Sequence, residues 1–314
     1  MRIKSIQIVH PENKIDNLTL FKDTIPDIDK FCTTTGIRYR YEAPENHTIE
    51  DYFVQGIKAL NVEISSIDVL ITVTQTPTKL IPSLSNYLNQ QLRFSEDILT
   101  YDLTSGCSGY TEALVLANQL FQSTSAERIV VCNGDFSNHI IDKKNTTVKP
   151  LFSDVAAVTL LERSENLFFS NQKSYADGYS AISSQDGKMT LNGLDVFQFS
   201  TLYVAKSIQE LVAKNNVEPE IIAFYFFHQA NQIINQTIAK QLKISTEKVP
   251  QSITGYGNSS SASIPLTLAL HASQLKKNQK ILLSGFGVGF KICNVVTDLC
   301  PFDANITVFE DKSI

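Results

Sequence analysis

Apolar runs and amphipathic stretches alternate along the first half of the chain, and their periods predict strands and helices in turn. The run at residues 67–74 predicts a buried strand, followed by a helix that ends near Leu92 and a strand at 98–103. Beyond Cys107, apolar positions at helical spacing predict a helix, and the segment 128–135 predicts the next strand and the turn that ends it. The apolar face of that helix consists of Ala113, Leu114, Ala117 and Leu120.

The second half repeats this order of elements. An apolar strand is predicted at 221–227, directly before His228, and a helix is predicted at 232–242. A glycine-rich turn at 255–257 then leads to Asn258. The elements predicted after it are a strand that ends in a glycine turn, within 280–287, and before that a helix that contains Leu266, Ala269, Leu270, Ser273 and Gln274. The order of turn, helix and strand therefore occurs twice.

The spacing of four residues supports this repeat. Gly134 follows Cys107 by 27 residues, and Gly285 follows Asn258 by 27 residues as well (134 − 107 and 285 − 258). Each glycine ends a predicted strand, so the cysteine and the asparagine stand at the same place in two copies of one unit.

Two copies of one unit predict an α/β protein with a duplicated fold, whose halves at residues 1–165 and 166–314 share one core. We expect mostly parallel sheets, with the functional groups at the C-terminal ends of strands and the N-terminal ends of helices. The N-terminal half carries Cys107, and the C-terminal half carries His228 and Asn258. Two similar halves would therefore surround one active site.

Composition excludes several classes of protein. The chain has 314 residues, of which 43% are hydrophobic and 19% charged, so it can bury a large core. A net charge of −5 leaves no basic stripe for nucleic acid or for an anionic membrane. Apolar runs fall short of the roughly 18–20 residues that a membrane span needs, and the alternating start of the chain lacks the apolar core of a signal peptide. We expect a cytoplasmic protein.

The cysteines and histidines indicate reduced thiols and no metal. The cysteines are odd in number and form no Cys-x-x-Cys pair, which is typical of a reducing compartment. The five histidines are scattered, without the spacing of metal ligands. We therefore expect no metal site and no other bound cofactor. The cysteines are Cys32, Cys107, Cys132, Cys293 and Cys300.

Three short segments supply a cysteine, a histidine and an asparagine, each at a predicted strand-to-helix turn. They are Gly106-Cys107-Ser108-Gly109, His228-Gln229-Ala230-Asn231 and Tyr256-Gly257-Asn258-Ser259-Ser260. A cysteine thiolate can accept an acyl group, while an imidazole and a carboxamide can donate hydrogen bonds to an enolate or oxyanion. This set of residues predicts acyl transfer through a thiol.

Further motifs follow one another in order along nearly the whole chain. They are Thr35-Gly36-Ile37-Arg38, Phe152-Ser153-Asp154-Val155-Ala156-Ala157-Val158, Asn192-Gly193-Leu194-Asp195-Val196-Phe197 and Phe286-Gly287-Val288-Gly289. Together with the three segments above, they resemble the thiolase superfamily and, within it, the β-ketoacyl-acyl-carrier-protein synthase III family of fatty-acid and polyketide initiation enzymes. The resemblance implies a thiolase-like fold with the layers α-β-α-β-α.

The resemblance also implies a role for each candidate residue. Cys107 matches the nucleophile, and its place at a helix N-terminus is expected to favour the thiolate. His228 and Asn258 match the pair that stabilises the enolate formed when a malonyl thioester loses CO2. The backbone N–H groups of Cys107 and Val288 match the oxyanion hole for the acyl-cysteine carbonyl.

The same resemblance implies a dimer, either a homodimer or a heterodimer with a related chain. The match through Ile81-Pro82 implies that Ile81 caps the acyl pocket of the other subunit, beside the partner's Cys107. A pocket capped in this way would accept short or modestly branched acyl groups.

Three positions depart from the family pattern. Members that use coenzyme A commonly carry a tryptophan and an arginine before Thr-Gly-Ile-Arg, where this chain has Lys30 and Thr34, and it has no tryptophan at all. The arginine that contacts the acidic carrier protein is replaced by Ile233. We therefore expect thioesters of an acyl carrier protein to be better donors than those of coenzyme A. Basic residues that could contact the carrier instead are Lys206, Lys214 and Lys240.

The function predicted from these residues is a decarboxylative Claisen condensation that makes a short β-ketoacyl product for a specialised pathway. One alternative within the fold is transfer of the acyl group from Cys107 to an alcohol or amine, although the presence of both His228 and Asn258 favours condensation. Another is a partner subunit of a heteromeric synthase, which would be expected to lack the nucleophile. Papain-like proteases also use Cys, His and Asn in this order, but their Cys-Gly-Ser-Cys-Trp signature is absent.

Overall fold

The computed structural model describes residues 1–311. Its strands are β1 (Arg2–His10), β2 (Lys14–Asp16), β3 (Tyr39–Tyr41), β4 (Val69–Val73), β5 (Leu99–Leu103), β6 (Arg128–Asp135), β7 (Val155–Glu162), β8 (Phe168–Ser174), β9 (Ile182–Gln185), β10 (Lys188–Leu191), β11 (Ile222–Phe227), β12 (Lys280–Gly287), β13 (Lys291–Asp298) and β14 (Asp303–Val308). Its helices are α1 (Asn17–Leu20), α2 (Ile28–Thr35), α3 (Ile49–Lys58), α4 (Leu84–Leu92), α5 (Gly109–Ser123), α6 (Ser137–Ile140), α7 (Gly193–Lys214), α8 (Gln232–Leu242), α9 (Ile253–Tyr256) and α10 (Ser263–Leu270).

The larger sheet has six strands in the order β14-β1-β7-β6-β4-β5. Strand β4 runs parallel to both of its neighbours, with Val69 opposite Leu99 on one side and Ile129 on the other. Every residue of β4 is buried, because helices cover both faces of the sheet at this point. The candidate residue Cys107 follows β5, the strand at the edge of this sheet.

The second sheet has four strands in the order β11-β12-β13-β8. Strands β11 and β12 are parallel and place Phe227 opposite Ser284 near their C-terminal ends. His228 comes directly after β11, so it lies at this end of the second sheet. The short pairs β2-β3 and β9-β10 form two separate ribbons.

Helices and sheets are stacked in five layers. Helices α5 and α10 lie between the two sheets and contact strands of both. Helices α3 and α4 cover the outer face of the first sheet, and α7, which packs against α8, covers the outer face of the second. Apolar side chains of the middle layer join the two halves in one core. The expected α-β-α-β-α arrangement is confirmed.

Two details of the organisation differ from the sequence-based expectations or extend them. The expectation of mostly parallel sheets is wrong, since four of the eight pairings in the two large sheets are parallel. The reason is that β7 and β13 each return antiparallel to the strand that precedes them in the chain. The division after residue 165 stays a prediction, and the last strand, β14, pairs with β1 of the first sheet.

Membrane insertion through a helix finds no support in the described part of the chain, where no helix combines the length and the apolar character that crossing a bilayer requires.

Candidate active site

Cys107 lies in the turn between the end of β5 and the start of α5. The Gly109 N–H donates to the Gly106 carbonyl at 2.7 Å and closes this turn. A Cβ atom on Gly109 would lie 2.3 Å from Cγ1 of Val73, and one on Gly287 would lie 2.6 Å from Cβ and 2.9 Å from Sγ of Cys107. Glycine is therefore required at both positions. The backbone at the end of β12 encloses Cys107, which is only 5% exposed.

The surroundings of Cys107 keep its thiol protonated at neutral pH. Burial raises the pKa of the thiol to about 11, and the carboxyl group of Asp135 acts in the same direction. The backbone N–H of Val288, the side chain of Ser260 and the backbone N–H of Cys107 itself lower this pKa through hydrogen bonds. The net direction is opposite to the expectation that the helix N-terminus favours the thiolate, because desolvation outweighs the hydrogen bonds. The proton of the thiol must therefore leave when the sulfur attacks.

His228 is held as a buried, neutral imidazole. Its backbone N–H donates to the Ser284 carbonyl at 2.9 Å, and its Nδ1 lies 2.8 Å from Oγ of Ser263. Burial lowers the pKa of His228 to about 3, although a hydrogen bond with the Ser260 backbone opposes this. The next helix, α8, begins four residues later, and the Asn231 side chain caps its N-terminus. An imidazole of this kind is suited to hydrogen bonding and poorly suited to holding a proton.

Asn258 is oriented by hydrogen bonds on both its backbone and its side chain. It pairs with Phe152 as an isolated bridge, and its Oδ1 accepts the Ser260 N–H at 2.9 Å. Because the carbonyl oxygen of the carboxamide is engaged in this way, the NH2 group is the part that can donate to a ligand. The predicted strand-to-helix turn is wrong here, since the short helix α9 precedes Asn258 and Gly257 reverses the chain with a φ of +59°.

The candidate residues gather around one turn. Cys107, Val288, Ser260 and Asp135 line a single narrow cavity. Ser260 also connects the remaining pair, since its N–H donates to Asn258 and its backbone interacts with His228. The other residues that line the cavity are Gln75, Thr76, Ser137, Ile140, Phe152, Ile182 and Met189.

Ile81 lies apart from the other candidate residues. Its side chain is 87% exposed, and the neighbouring Leu80 is 82% exposed. Ile81 is not among the residues that line the cavity of its own chain. Its predicted role depends on a partner subunit and stays a prediction.

Ser260 and Asp135 are among the polar residues of the cavity that the sequence-based prediction missed. Asp135 ends β6, and its Oδ1 accepts hydrogen bonds from the Thr74 hydroxyl at 3.0 Å and the Gln75 N–H at 2.6 Å. Burial raises the pKa of its carboxyl group to about 6, against hydrogen bonds that lower it. A carboxylate at the end of an apolar strand, at the same sheet edge as Cys107, was the signal that could have identified it.

The residues 1–311 contain no group of three or more His, Cys, Asp or Glu side chains that could hold a metal ion. The residues at the cavity and those connected to it through Ser260 supply a thiol, an imidazole, a carboxamide, a carboxyl group, a hydroxyl group and backbone N–H groups.

Comparison with known protein families gives two matches. The description "3-Oxoacyl-[acyl-carrier-protein (ACP)] synthase III" matches residues 101–178, which include Cys107. The description "3-Oxoacyl-[acyl-carrier-protein (ACP)] synthase III C terminal" matches residues 212–299, which include His228 and Asn258.

Similar proteins cover nearly the whole chain. A beta-ketoacyl-[acyl-carrier-protein] synthase III of Lactococcus lactis is 30% identical over 313 residues, which is 91% of this chain and 96% of the relative. One of Neisseria gonorrhoeae is 28% identical and covers 89% of this chain and 93% of its own length. Among solved structures, a 3-oxoacyl-(acyl-carrier protein) synthase from Burkholderia xenovorans has a TM-score of 0.93 at 24% identity, over 98% and 97% of the two chains. The synthase III from Aquifex aeolicus has a TM-score of 0.87 at 26% identity, over 95% and 99%.

Proposed function

This chain belongs to the 3-oxoacyl-[acyl-carrier-protein] synthase III family, and we propose that it condenses an acyl group carried on Cys107 with a malonyl thioester. It is an acyltransferase with the thiolase fold. The observation that carries the proposal is the meeting of Cys107, His228 and Asn258 around Ser260, next to one cavity. The product of this reaction is a short β-ketoacyl thioester.

The first step is acylation of Cys107. The sulfur attacks the carbonyl carbon of an acyl thioester, loses its proton, and the donor thiol leaves once the tetrahedral intermediate collapses. The N–H groups of Cys107 and Val288, which hydrogen-bond to the thiolate, are the donors available to the oxyanion.

The second step is decarboxylation of a malonyl thioester. The bond to the carboxylate breaks, CO2 leaves, and the electron pair forms an enolate whose oxygen accepts hydrogen bonds from His228 and Asn258. The enolate carbon then attacks the acyl-cysteine carbonyl, and Sγ of Cys107 departs and regains a proton. Because burial lowers the pKa of His228 to about 3, its part in this step is to donate a hydrogen bond as a neutral ring.

Transfer of the acyl group to an alcohol or amine is the second candidate reaction. It would need Cys107 but not an enolate, so the combination of His228 with an Asn258 carboxamide held by the Ser260 N–H favours condensation.

Acyl-carrier-protein thioesters are the proposed donors. Lys30 and Thr34 are exposed and offer no aromatic ring on which an adenine could stack. The C-terminal end of α2 lies against the start of α8, since a Cβ atom on Gly36 would lie 2.5 Å from Oε1 of Gln232. The next residue of α8, Ile233, is partly exposed and carries no charge for a carrier. Exposed basic residues that could contact an acidic carrier are Lys206, Lys214 and Lys240.

We propose a dimer, formed with a second copy or a related chain, in which Ile81 completes the partner's pocket. The exposure of Leu80 and Ile81 supports this, because contiguous apolar side chains on a protein surface often mark a site of contact with another chain. Strand β5 has its second edge free within the described chain and is 40% exposed at Leu99, so it offers an edge for pairing.

Intact-mass spectrometry with a panel of acyl thioesters on both carriers tests the proposal. We expect one acyl group per chain, which disappears on addition of a malonyl thioester as CO2 and a β-ketoacyl product form. Removal of the acyl group by an alcohol or amine, without consumption of the malonyl thioester, would support transfer instead. Failure of every thioester to acylate the protein would contradict both reactions.

A further inference from the structure

Asp135 is a buried acid that the two steps above do not use. Its side chain is 2% exposed, and it lines the same cavity as Cys107. The Thr74 hydroxyl and the Gln75 N–H both bond to Oδ1, while Oδ2 has no hydrogen-bond partner within residues 1–311. A buried carboxylate oxygen without a partner is costly, and it leaves room for one more donor.

Ser260 lies beside both Asp135 and Cys107. It has a φ of +49°, which is uncommon for a residue other than glycine, and its N–H is fixed by the hydrogen bond to Asn258 at 2.9 Å. It lines the same narrow cavity as Cys107 and Asp135, and its side chain lowers the pKa of the Cys107 thiol and of the Asp135 carboxyl group, which favours the charged form of each. A single hydroxyl can accept a proton from one neighbour while it donates its own to another.

His228 is a poor acceptor for the thiol proton. Burial lowers the pKa of its imidazole to about 3, whereas burial raises the pKa of the Asp135 carboxyl group to about 6. At neutral pH both groups are unprotonated, and the carboxylate is the stronger base of the two. Asp135, from the end of β6, is the titratable group whose charge acts on the Cys107 thiol, and His228 is connected to the site through the Ser260 backbone.

We propose that Asp135 accepts the proton of Cys107 through the Ser260 hydroxyl during acylation. The S–H bond breaks and its proton goes to Oγ of Ser260, while the hydroxyl proton of Ser260 passes to Oδ2 of Asp135. The freed sulfur electron pair forms the bond to the thioester carbonyl carbon. When the donor thiolate leaves, it takes up the proton that returns from Asp135 by the same path. The proposal rests on Cys107 being the nucleophile of the proposed function.

The substitution Asp135→Asn separates the two effects of this carboxylate. The negative charge of Asp135 opposes thiolate formation. In the variant, the pH at which iodoacetamide alkylates Cys107 at half its maximal rate should therefore be lower. Acylation by a thioester at pH 7 should nevertheless fall by about 100-fold, the scale of a lost general base. A residue that merely shapes the cavity, or merely repels the thiolate, would change both rates in the same direction.

The pH profile of acylation gives a second readout. In the unsubstituted protein the rate should be lost as the pH falls through the pKa of Asp135, about 6, because the protonated acid cannot accept a proton, and it should level off above that value. In Asp135→Asn the rate should keep rising with pH toward the range in which the thiol itself ionises.

Ser260→Ala removes the hydroxyl and keeps the backbone hydrogen bond to Asn258. We expect its acylation profile to match that of Asp135→Asn, and the double variant to be no slower than either single one. Ser261→Ala is the matched control, since its Oγ is also buried but has no hydrogen-bond partner among the described residues. If Asp135→Asn does not fold, Ser260→Ala and its control decide the question.

Unchanged acylation at pH 7 and an unchanged profile in both variants would overturn the relay. That result would leave the proposed function intact as long as the unsubstituted protein is acylated and Cys107→Ala is not. If the unsubstituted protein itself is not acylated by any thioester, the proposed function is ruled out.

Discussion

The turn of Cys107 precedes helix α5 and the turn of Asn258 precedes helix α10, the two helices between the sheets, yet neighbouring strands cover the two turns differently. Strand β12 of the second half approaches the Cys107 turn with bare backbone, and a Cβ atom on Gly285 would lie 2.8 Å from Cα of Ser108. Strand β6 of the first half approaches the other turn with a polar side chain, since Asn133 donates to the Ser261 carbonyl at 2.7 Å.

This difference follows from the chemistry proposed for each turn. A nucleophile must bring its sulfur within reach of backbone N–H groups, which requires glycines opposite it. A carboxamide that stabilises an enolate must point in one direction, which requires hydrogen bonds that hold the turn. The Cys107 turn allows backbone N–H groups to approach the sulfur closely, and the Asn258 turn fixes the direction of the carboxamide.

The largest effect is expected from removing the function of the first turn altogether. Cys107→Ala should abolish both the acyl mass shift and condensation, because no other group in the cavity can form the thioester. Cys132→Ala and Cys293→Ala are the controls, since burial raises the pKa of both thiols, that of Cys293 to about 12, and neither residue lines the cavity. A mass shift retained in Cys107→Ala would rule out the mechanism.

Removing donors from the second turn should separate the two steps. His228→Ala and Asn258→Ala should each slow condensation by about 100-fold or more, the scale of a lost oxyanion donor, while acylation of Cys107 continues. Rates of product formation and of acyl-enzyme formation, measured on the same preparations, test this. Normal condensation by Asn258→Ala would favour the transferase reaction.

A smaller effect is expected from filling the space opposite the nucleophile. Gly287→Ala would place a methyl group against Cys107, at a φ of +152° that favours glycine, and should slow acylation by about 10- to 100-fold through displacement of the sulfur. Gly255→Ala is the control, because no atom lies within 4 Å of the added Cβ. Equal acylation rates in the two variants would show that a glycine at position 287 is not needed for acylation of Cys107.

The smallest effect concerns the carrier. Acylation from an acyl-carrier-protein thioester should exceed that from the matched coenzyme A thioester by about 3- to 10-fold, the scale of one lost stacking or charge contact. Ile233→Arg should increase the rate with the carrier protein and leave the coenzyme A rate unchanged. A faster reaction with coenzyme A in the unsubstituted protein would reverse the donor assignment and leave the catalytic one untouched.

The sequence predicted the strands well where apolar runs have sharp ends. The segments 128–135 and 280–287, each predicted as a strand that ends in a turn, are strand throughout and form β6 and β12. The antiparallel return of β7 and β13 was not predicted, because pairing direction depends on the path of the chain beyond the local pattern.

The site was predicted in its residue types but not in its electrostatics. Motif order predicted Cys107 as the nucleophile, but the raised pKa of its thiol comes from burial that a sequence does not display. The bridge between Asn258 and Phe152 joins residues far apart in the chain, so the local pattern gave a strand-to-helix turn instead. Ser260 was missed for the same reason, whereas Asp135 stands at the end of an apolar strand, a signal that could have identified it.

The most direct test of the division between the two turns is a single-turnover chase. Asn258→Ala and the unsubstituted protein are first acylated to completion, and a malonyl thioester is then added while intact-mass spectrometry follows the acyl group on Cys107. The account predicts full acylation of both proteins, followed by loss of the acyl group about 100-fold more slowly in the variant. Loss at the same rate from both proteins, or failure of the variant to become acylated, would contradict it.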